Sequence, residues 1–305
     1  MGIVQKCDIR LEERLELHRL WIERVPGGIR ADLTGATLSD LKLEGADLRG
    51  ALLREVSFLD SSLCGANLSG ADLTGADMRK ANLLGADLAG ADLTDANLQF
   101  AWLCEANLSE AKLSGARCDK ANFRDCRMFE AQLSGCSFSG ANLSGASLNR
   151  CFLHDCSFAG ADLTGTKLLH ARMQICRFNQ AHGESTDFSS ISARGSDFSG
   201  VQFESAKFYR ADLSSGNFYL ASLTGCSFNE SNLSFADFGR ASLAGSRFAG
   251  ADLKAADLTS AVLRGAREFS SQQLCLARTG TGTTLPNGSP GPYMKGSGAE
   301  RPGMR

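Results

Sequence analysis

Large apolar side chains recur at every fifth residue from Ala31 to Leu263, without one shift of register. The series holds 47 positions, of which 28 are Leu, 13 are Phe and 3 are Met. The residue two places before each of them is usually small, being Ala at 30 positions and Cys at 6. A repeat this regular predicts one continuous solenoid rather than separate domains. Three positions depart from the apolar rule, namely Cys118, Gly183 and Ala193.

A period of five matches neither an α-helix, which needs apolar spacing near 3.6, nor a plain strand, which needs 2. It does fit a short extended piece followed by a turn. In a unit such as Ala66-Asn67-Leu68-Ser69-Gly70, the small and the large residue then point inward, as alternate strand residues do. The outward residues are turn formers, which bond their own backbone or tolerate unusual φ. The sequence therefore predicts an all-β solenoid.

The units Ala71-Asp72-Leu73-Thr74-Gly75 and Ala161-Asp162-Leu163-Thr164-Gly165 resemble those of the pentapeptide repeat family. The resemblance covers residues 31–265, and the lead-in His18-Arg19-Leu20-Trp21 is similar to that of many bacterial members. It implies a right-handed quadrilateral β-helix with four units per coil. The 47 units then form about twelve coils.

Both ends of a solenoid need caps. Asp8 to Val25 reads as an amphipathic helix with Asp8 as its N-cap, and Ser270 with Gln273 forms a capping box that opens a short helix ending near Arg278. Beyond it the periodicity is lost and Pro and Gly are frequent, which indicates a flexible tail. The expected organisation is an N-terminal capping helix and lead-in (1–30), the β-helix (31–266), a C-terminal capping helix (267–278) and the tail (279–305).

With four units per coil, inward residues 20 apart share a face. One face then carries Phe138, Phe158, Phe178, Phe198, Phe218 and Phe238, and the opposite face carries Phe188, Phe208, Phe228 and Phe248. A ladder of buried thiols is expected from Cys136, Cys156 and Cys176. The stretch Ala181 to Arg194 contains two of the three exceptions, so we expect a void or a bulge there. Repeat decay explains that stretch, with a local binding notch as the alternative.

Composition and motifs limit the functions that this chain can have. The net charge of −2 gives no strong electrostatic case for nucleic acid. Six of the eleven cysteines occupy the small inward slot, which indicates reduced thiols in a cytoplasmic protein. There is no apolar run long enough to span a membrane and no catalytic, cofactor-binding or metal-binding motif, so we expect neither an enzyme nor a bound cofactor. The reactivity of four cysteines off the inward slots stays open: Cys7, Cys64, Cys104 and Cys275.

The face that carries Phe188 to Phe248 inside has basic and aromatic residues outside, a combination typical of protein interfaces. Its candidate partner surface is Arg127, Phe129, Arg150, Lys167, Lys207, Tyr209, Arg210 and Arg247. A non-catalytic scaffold that binds a protein along this face is the first functional hypothesis. The family resemblance implies an alternative, a DNA mimic that binds a type II topoisomerase such as gyrase, and with it a homodimer through the C-terminal cap. Phe100 and Trp102 form a second exposed aromatic pair.

Overall fold

The structure, a computed structural model, describes residues 4–302, with side chains from residue 11 onward. Its main feature is a ladder of parallel bridges. The second residue of each five-residue unit is paired with its equivalent four units later, from Asp32 and Leu52 to Arg247 and Arg267. One rung of this ladder is long enough to form two three-residue strands, β1 (His182–Glu184) and β2 (Gln202–Glu204). Each coil therefore contains four five-residue units, and the predicted β-helix is confirmed.

Backbone hydrogen bonds tie each unit to the coils on both sides. The amide of Leu68 donates to Asp87 O at 2.7 Å, while the amide of Asn67 donates to Ala46 O at 2.9 Å. The chain turns between units, and the amide of Ala71 closes that turn on Leu68 O at 3.0 Å. The backbone polar groups are thus satisfied coil by coil, as in a parallel sheet wound on itself.

The turn explains why Asn, Asp and Gly recur at fixed places in the unit. Asn67 Oδ1 accepts hydrogen bonds from the amide of Ser69 at 3.1 Å and from its hydroxyl at 2.7 Å, which holds the chain in the turn. The last residue of the unit, Gly70, has φ of +62°. That left-handed conformation favours glycine because it has no Cβ.

Stacked phenylalanine rings fill the C-terminal half of the core. On one face, which we call the first Phe column, Phe198 stacks on Phe178 and Phe218 with ring centroids 4.7 and 4.9 Å apart. On the opposite face, the second Phe column, Phe188 and Phe208 stack at 4.9 Å. The columns meet edge-on across the interior, with centroids about 6 Å apart, the favourable T-shaped geometry. The predicted Phe core is confirmed.

Most polar residues in the small inward slot donate a hydrogen bond to a carbonyl oxygen of the preceding coil. The thiols of Cys136 and Cys156 donate to Leu113 O and Leu133 O, each at 2.9 Å and each 23 residues earlier. The thiol ladder is confirmed, but its members are hydrogen-bond donors as well as small apolar groups. The other residues that follow this rule are Ser61, Cys151, Thr166, Cys176, Thr186, Ser196, Cys226 and Ser246. Cys126 and Ser231 donate to other carbonyl groups.

The irregular stretch coincides with β1. Gly183 occupies an inward slot, and a Cβ built on it would lie 2.8 Å from the carbonyl carbon of Leu163 and 2.7 Å from Thr186 Oγ1. The backbone therefore packs so closely on the preceding coil that no side chain fits. Outside, a shallow groove of about 410 Å³ follows β1 and β2, with Glu184 and Glu204 on its walls. The repeat thus departs from its rule at Gly183 at a close contact with the preceding coil, whereas Phe203, its partner in β2, keeps a large buried side chain.

We expect Gly183→Ala to lower the free energy of unfolding by about 1–3 kcal/mol, since the added methyl group meets backbone atoms that cannot rotate away. Gly280→Ala is the matched control: its φ is not in the left-handed region and its nearest contact is 3.4 Å, an ordinary van der Waals distance. Urea unfolding followed by circular dichroism measures both. Equal stability of Gly183→Ala and the wild type would show that the coils are not in such close contact.

The N-terminal helix α1 spans Val4–Ile22. Asp8 lies inside it, so the predicted N-cap is wrong. The helix also ends earlier than the predicted Val25. Arg24 adopts φ of +57° and the amide of Val25 donates to Leu20 O at 2.9 Å, a Schellman motif that stops the helix ahead of Pro26.

Packing of α1 on the first coil involves two leucines and a histidine. Leu11 and Leu15 are partly buried against the core. His18 is buried, its Nδ1 accepts a hydrogen bond from the amide of Ala31 at 3.1 Å, and its ring stacks on Trp21. Burial lowers the pKa of His18, which favours the neutral imidazole that this hydrogen bond requires.

The C-terminal helix α2 spans Ser271–Leu276 and ends before the predicted Arg278. Ser270 Oγ accepts the amide of Gln273 at 3.1 Å, and Gln273 Oε1 accepts the amide of Ser270 at 2.7 Å. Gln273 Nε2 also donates to Phe248 O at 2.7 Å and Ala251 O at 2.9 Å. Phe248 O also accepts the amide of Ala251 at 3.1 Å, so the Gln273 side chain supplies the missing donor at Ala251 O, which has no further coil to pair with.

The segment after α2 differs from the predicted flexible tail. Thr284 pairs with Val262 of the last coil, and its carbonyl accepts the amide of Leu263 at 2.8 Å. Leu285 and Ala299 are buried. The five-residue pattern is absent here because the segment follows the last coil without forming another one, and backbone pairing needs no particular side chains.

Candidate partner surface

The structure arranges four of the predicted surface cations in a single row. The ladder runs through Arg127, Lys167, Lys207 and Arg247, with one intervening rung between neighbouring cations. All four side chains are exposed, whereas the residues on the intervening rungs, Ser147, Asp187 and Ser227, are half-buried. We call these four cations the cationic row.

The predicted aromatic residues lie beside this row. Phe129 is 39% exposed and Tyr209 is 37% exposed. Each lies under an arginine: the guanidinium carbon of Arg150 is 5.7 Å from the Phe129 ring centroid, and that of Arg210 is 4.9 Å from the Tyr209 centroid. These are cation–π contacts, which hold the guanidinium groups flat against the rings.

Acidic residues neutralise these two arginines but not the cationic row. Arg150 pairs with Glu130 at 3.4 Å, and Arg210 pairs with Glu230 at 2.6 Å. The hydrogen bond from Arg210 lowers the pKa of Glu230, so this carboxylate stays charged. Among the side chains described from residue 11 onward, none of the ion pairs within 4.0 Å involves the cationic row. The free positive charge of this face is therefore concentrated in the row and in Arg267, which is exposed on the rung after Arg247.

A second group of residues, across the corner from Phe129, was not predicted. Phe152, His170 and Arg172 line a groove of about 410 Å³ together with Glu130 and Arg150. The guanidinium of Arg172 lies 5.4 Å from the Phe152 ring centroid. The sequence holds the signal for this pair, because Phe152 and Arg172 are four units apart and so occupy the same slot on adjacent coils.

The second predicted aromatic pair is also on the surface. Trp102 is 58% exposed, Phe100 is close to half exposed, and Leu84 is exposed on the preceding coil. Lys120 lies over the Phe100 ring, with Nζ 5.7 Å from the centroid. This apolar patch is on another side of the rod, separate from the cationic row.

The remaining chemistry-bearing residues are dispersed. His154, His170 and His182 are exposed, or nearly so, and lie on different faces or coils. Cys64 and Cys104 are half-buried and Cys275 is exposed, while the side chain of Cys7 lies outside the described residues. Within the described part of the chain, no three metal-ligating side chains converge on a point. In residues 4–302, helices long and apolar enough to cross a membrane are lacking.

Two family models match the chain. The model described as "Pentapeptide repeats (8 copies)" matches residues 31–70, 71–109, 106–145, 206–245 and 226–265. The model described as "Pentapeptide repeat region" matches residues 131–208. No curated protein shows significant sequence similarity to the chain.

Solved structures of similar proteins include a trypsin-treated form of QnrB1, a plasmid-mediated fluoroquinolone resistance protein. It is 25% identical, with coverage of 58% of this chain and 89% of that chain and a TM-score of 0.47. HetL, a pentapeptide repeat protein involved in heterocyst differentiation regulation from the cyanobacterium Nostoc sp. strain PCC 7120, is 25% identical over 90% of this chain and 98% of that chain, with a TM-score of 0.29. With TM-scores below 0.5, neither likeness bears on function. The matched models span the whole of the repeat, and the chain belongs to the pentapeptide repeat family.

Proposed function

We propose that this protein is a non-catalytic scaffold that binds a partner protein along the face of the cationic row. The observation that carries the proposal is the row itself, four exposed cations on one ladder without acidic partners among the described side chains, flanked by exposed Phe129 and Tyr209. Arginine and tyrosine are enriched among the residues that dominate interface energies.

Rigidity supports the same function. The row and its aromatic neighbours are attached to coils whose backbone groups are paired on both sides, and the second Phe column stacks beneath the C-terminal part of the row, at Lys207 and Arg247. A surface held in one arrangement loses little conformational entropy when it binds, so more of the contact energy is available for affinity.

The ion pairs of the surface carboxylates bear on the DNA-mimic alternative. A mimic needs unpaired carboxylates that replace phosphates, and the N-terminal half of the rod has several Asp residues on its surface. Asp47 pairs with Arg49 at 2.6 Å and Asp77 pairs with Arg79 at 2.7 Å. Asp92 lies 3.8 Å from Lys112. These three carboxylates are neutralised by their own coils or by the next one, whereas Asp40, Asp60 and Asp95 are exposed and are in none of the ion pairs among the described side chains.

Affinity capture from a bacterial lysate tests the proposal. We expect a partner that binds the wild type but not Arg127→Glu/Lys207→Glu/Arg210→Glu, because the reversed charges repel its acidic contact. The matched control is Lys112→Glu/Arg117→Glu/Arg177→Glu, which reverses three exposed cations on other faces and should keep the partner. Capture of the same proteins by the wild type and by both variants would reject this face as the binding surface.

The alternative has its own measurement. Under the scaffold hypothesis, DNA supercoiling by purified gyrase is unaffected by micromolar concentrations of this protein. Inhibition of supercoiling, or protection of gyrase from a quinolone, would instead favour the DNA mimic.

A further inference from the structure

The cations of the row are evenly spaced. Along the ladder, each of Arg127, Lys167, Lys207 and Arg247 is separated from the next by two coils, and a further exposed cation, Arg267, follows Arg247 after one coil. Since adjacent paired strands lie about 4.8 Å apart, neighbouring cations are about 9.6 Å apart, and the row is about 29 Å long. The ladder holds this spacing because every intervening rung is also paired.

The charge of the row is available to a ligand. Asp187, which lies between Lys167 and Lys207, accepts the amide of Ser189 at 3.0 Å and keeps its negative charge, but it forms no ion pair within 4.0 Å with either lysine. Elsewhere on the rod, Arg150, Arg177 and Arg210 have a carboxylate within 4.0 Å. Other exposed arginines, such as Arg117, Arg194 and Arg240, are in none of the described ion pairs, so the row differs from them by its alignment on one ladder. The row therefore fits a ligand with negative groups repeated at about the same distance.

Among protein elements, an α-helix fits this spacing and an extended strand does not. Same-face side chains of a strand are about 6.8 Å apart, and the next repeat is about 13.6 Å. In a helix, residues seven apart lie on nearly the same face and about 10.5 Å apart. The mismatch, about 1 Å per step, is within the reach of Lys and Arg side chains. Double-stranded DNA carries one charge per about 1.7 Å of its axis, far denser than the row.

We propose that the cationic row binds an acidic α-helix of the partner, aligned along the rod with a carboxylate at every seventh residue. This inference rests on the proposed function and adds the chemistry and the shape of the partner segment. About 20 helical residues span the row. Phe129 and Tyr209 lie beside the row and would contact apolar side chains of the helix.

The probe is a fluorescent, alanine-rich helical peptide of about 24 residues with Glu at every seventh position. Its isomer has the same composition with the Glu residues clustered at one end. We expect the full-length protein to bind the evenly spaced peptide at least about tenfold more tightly than the isomer, and to lose affinity as salt rises. Lys167→Ser/Lys207→Ser should weaken binding about tenfold. Serine occupies two of the three intervening rungs, as Ser147 and Ser227, so this change preserves the fold.

Arg117→Ser, an exposed cation in the same slot of another face, is the control and should bind as the wild type does. Equal affinity for the two peptides, an unchanged double variant, or tighter binding of single-stranded DNA with the same charge would each overturn the inference. If lysate capture still depends on the face while the peptides show no preference, the scaffold stands and only the helical ligand is rejected. If capture is also independent of the face, the proposed function fails as well.

Discussion

Phe198→Ala is expected to lower the free energy of unfolding by about 3–5 kcal/mol, the typical loss when a buried phenylalanine is truncated. Phe198 is fully buried and stacks on Phe178 and Phe218 at 4.7 and 4.9 Å. Two rings of the opposite column also meet it edge-on. The cavity cannot collapse, because paired coils above and below fix the distance between its walls.

Urea unfolding followed by far-ultraviolet circular dichroism measures this loss. Phe235→Ala is the control, since Phe235 is 61% exposed and its truncation should change stability by no more than about 0.5 kcal/mol. Similar values for the two variants would mean that the Phe columns do not form the rigid core described here.

The second large effect is a loss of stability in alkali caused by buried thiols. Burial raises the pKa of Cys136, Cys151 and Cys226 to about 12, whereas an unfolded cysteine titrates near a pKa of about 8.5. Above the unfolded pKa, the unfolded chain releases protons that the folded chain retains. The free energy of unfolding therefore falls as pH rises, by up to about 1.4 kcal/mol per pH unit for each thiol, until the folded pKa is reached.

Replacing all three by Ala, the residue most common in this slot, removes their share of the effect. Burial also raises the pKa of Cys118 and Cys126, which remain in both proteins and cancel in the comparison. Between pH 9 and 11, we expect the wild type to lose about 4 kcal/mol per pH unit more than the triple variant, to order of magnitude. Lys and Tyr titrate in both proteins, so their contribution cancels when the free energies of unfolding of the two proteins are subtracted at each pH. Cys275→Ala, at an exposed site, should keep the wild-type slope. Parallel pH profiles for the wild type and the triple variant would contradict the burial of these thiols.

The inward pattern was predictable because the residues that pack in the core recur at a fixed interval in the sequence. Once four units make one coil, the large residue of each unit has a defined face, and the two Phe columns follow from the numbering alone. The hydrogen bonds of the hydroxyls and thiols in the small inward slot were not predictable. The carbonyl oxygen that accepts each of them depends on how one coil lies over the next. The common offset of 23 residues between donor and acceptor appears only in three dimensions.

The ends were predicted less well than the repeat. Ser270 and Gln273 formed a recognisable capping box because both hydrogen bonds are local in sequence. At α1, Asp8 has the residue type of an N-cap, but it lies within the helix. Residue type alone does not determine at which of several nearby positions a helix begins. Pairing of Thr284 with the last coil uses backbone atoms, which leave no pattern in the side chains.

For the candidate surface, sequence located the residues on one face but not their electrostatic state. Arg150 and Arg210 belong to the predicted set with Lys167 and Lys207. Only the coordinates distinguish these arginines, which are paired with Glu, from the lysines, which have no such pair among the described side chains. That distinction depends on side-chain reach across a corner. It selects the cationic row from the longer list.

Lysine footprinting tests most directly whether the partner binds the face of the cationic row. The protein is labelled with a limiting amine acetylation reagent, with and without its captured partner, and the labelled sites are identified by mass spectrometry. Lys167 and Lys207 lie in the cationic row, while Lys42, Lys80 and Lys254 are exposed elsewhere on the rod. We expect the partner to protect Lys167 and Lys207 and to leave the other three as reactive as before. Protection of the other three with Lys167 and Lys207 still reactive would place the binding surface on another face and contradict the account.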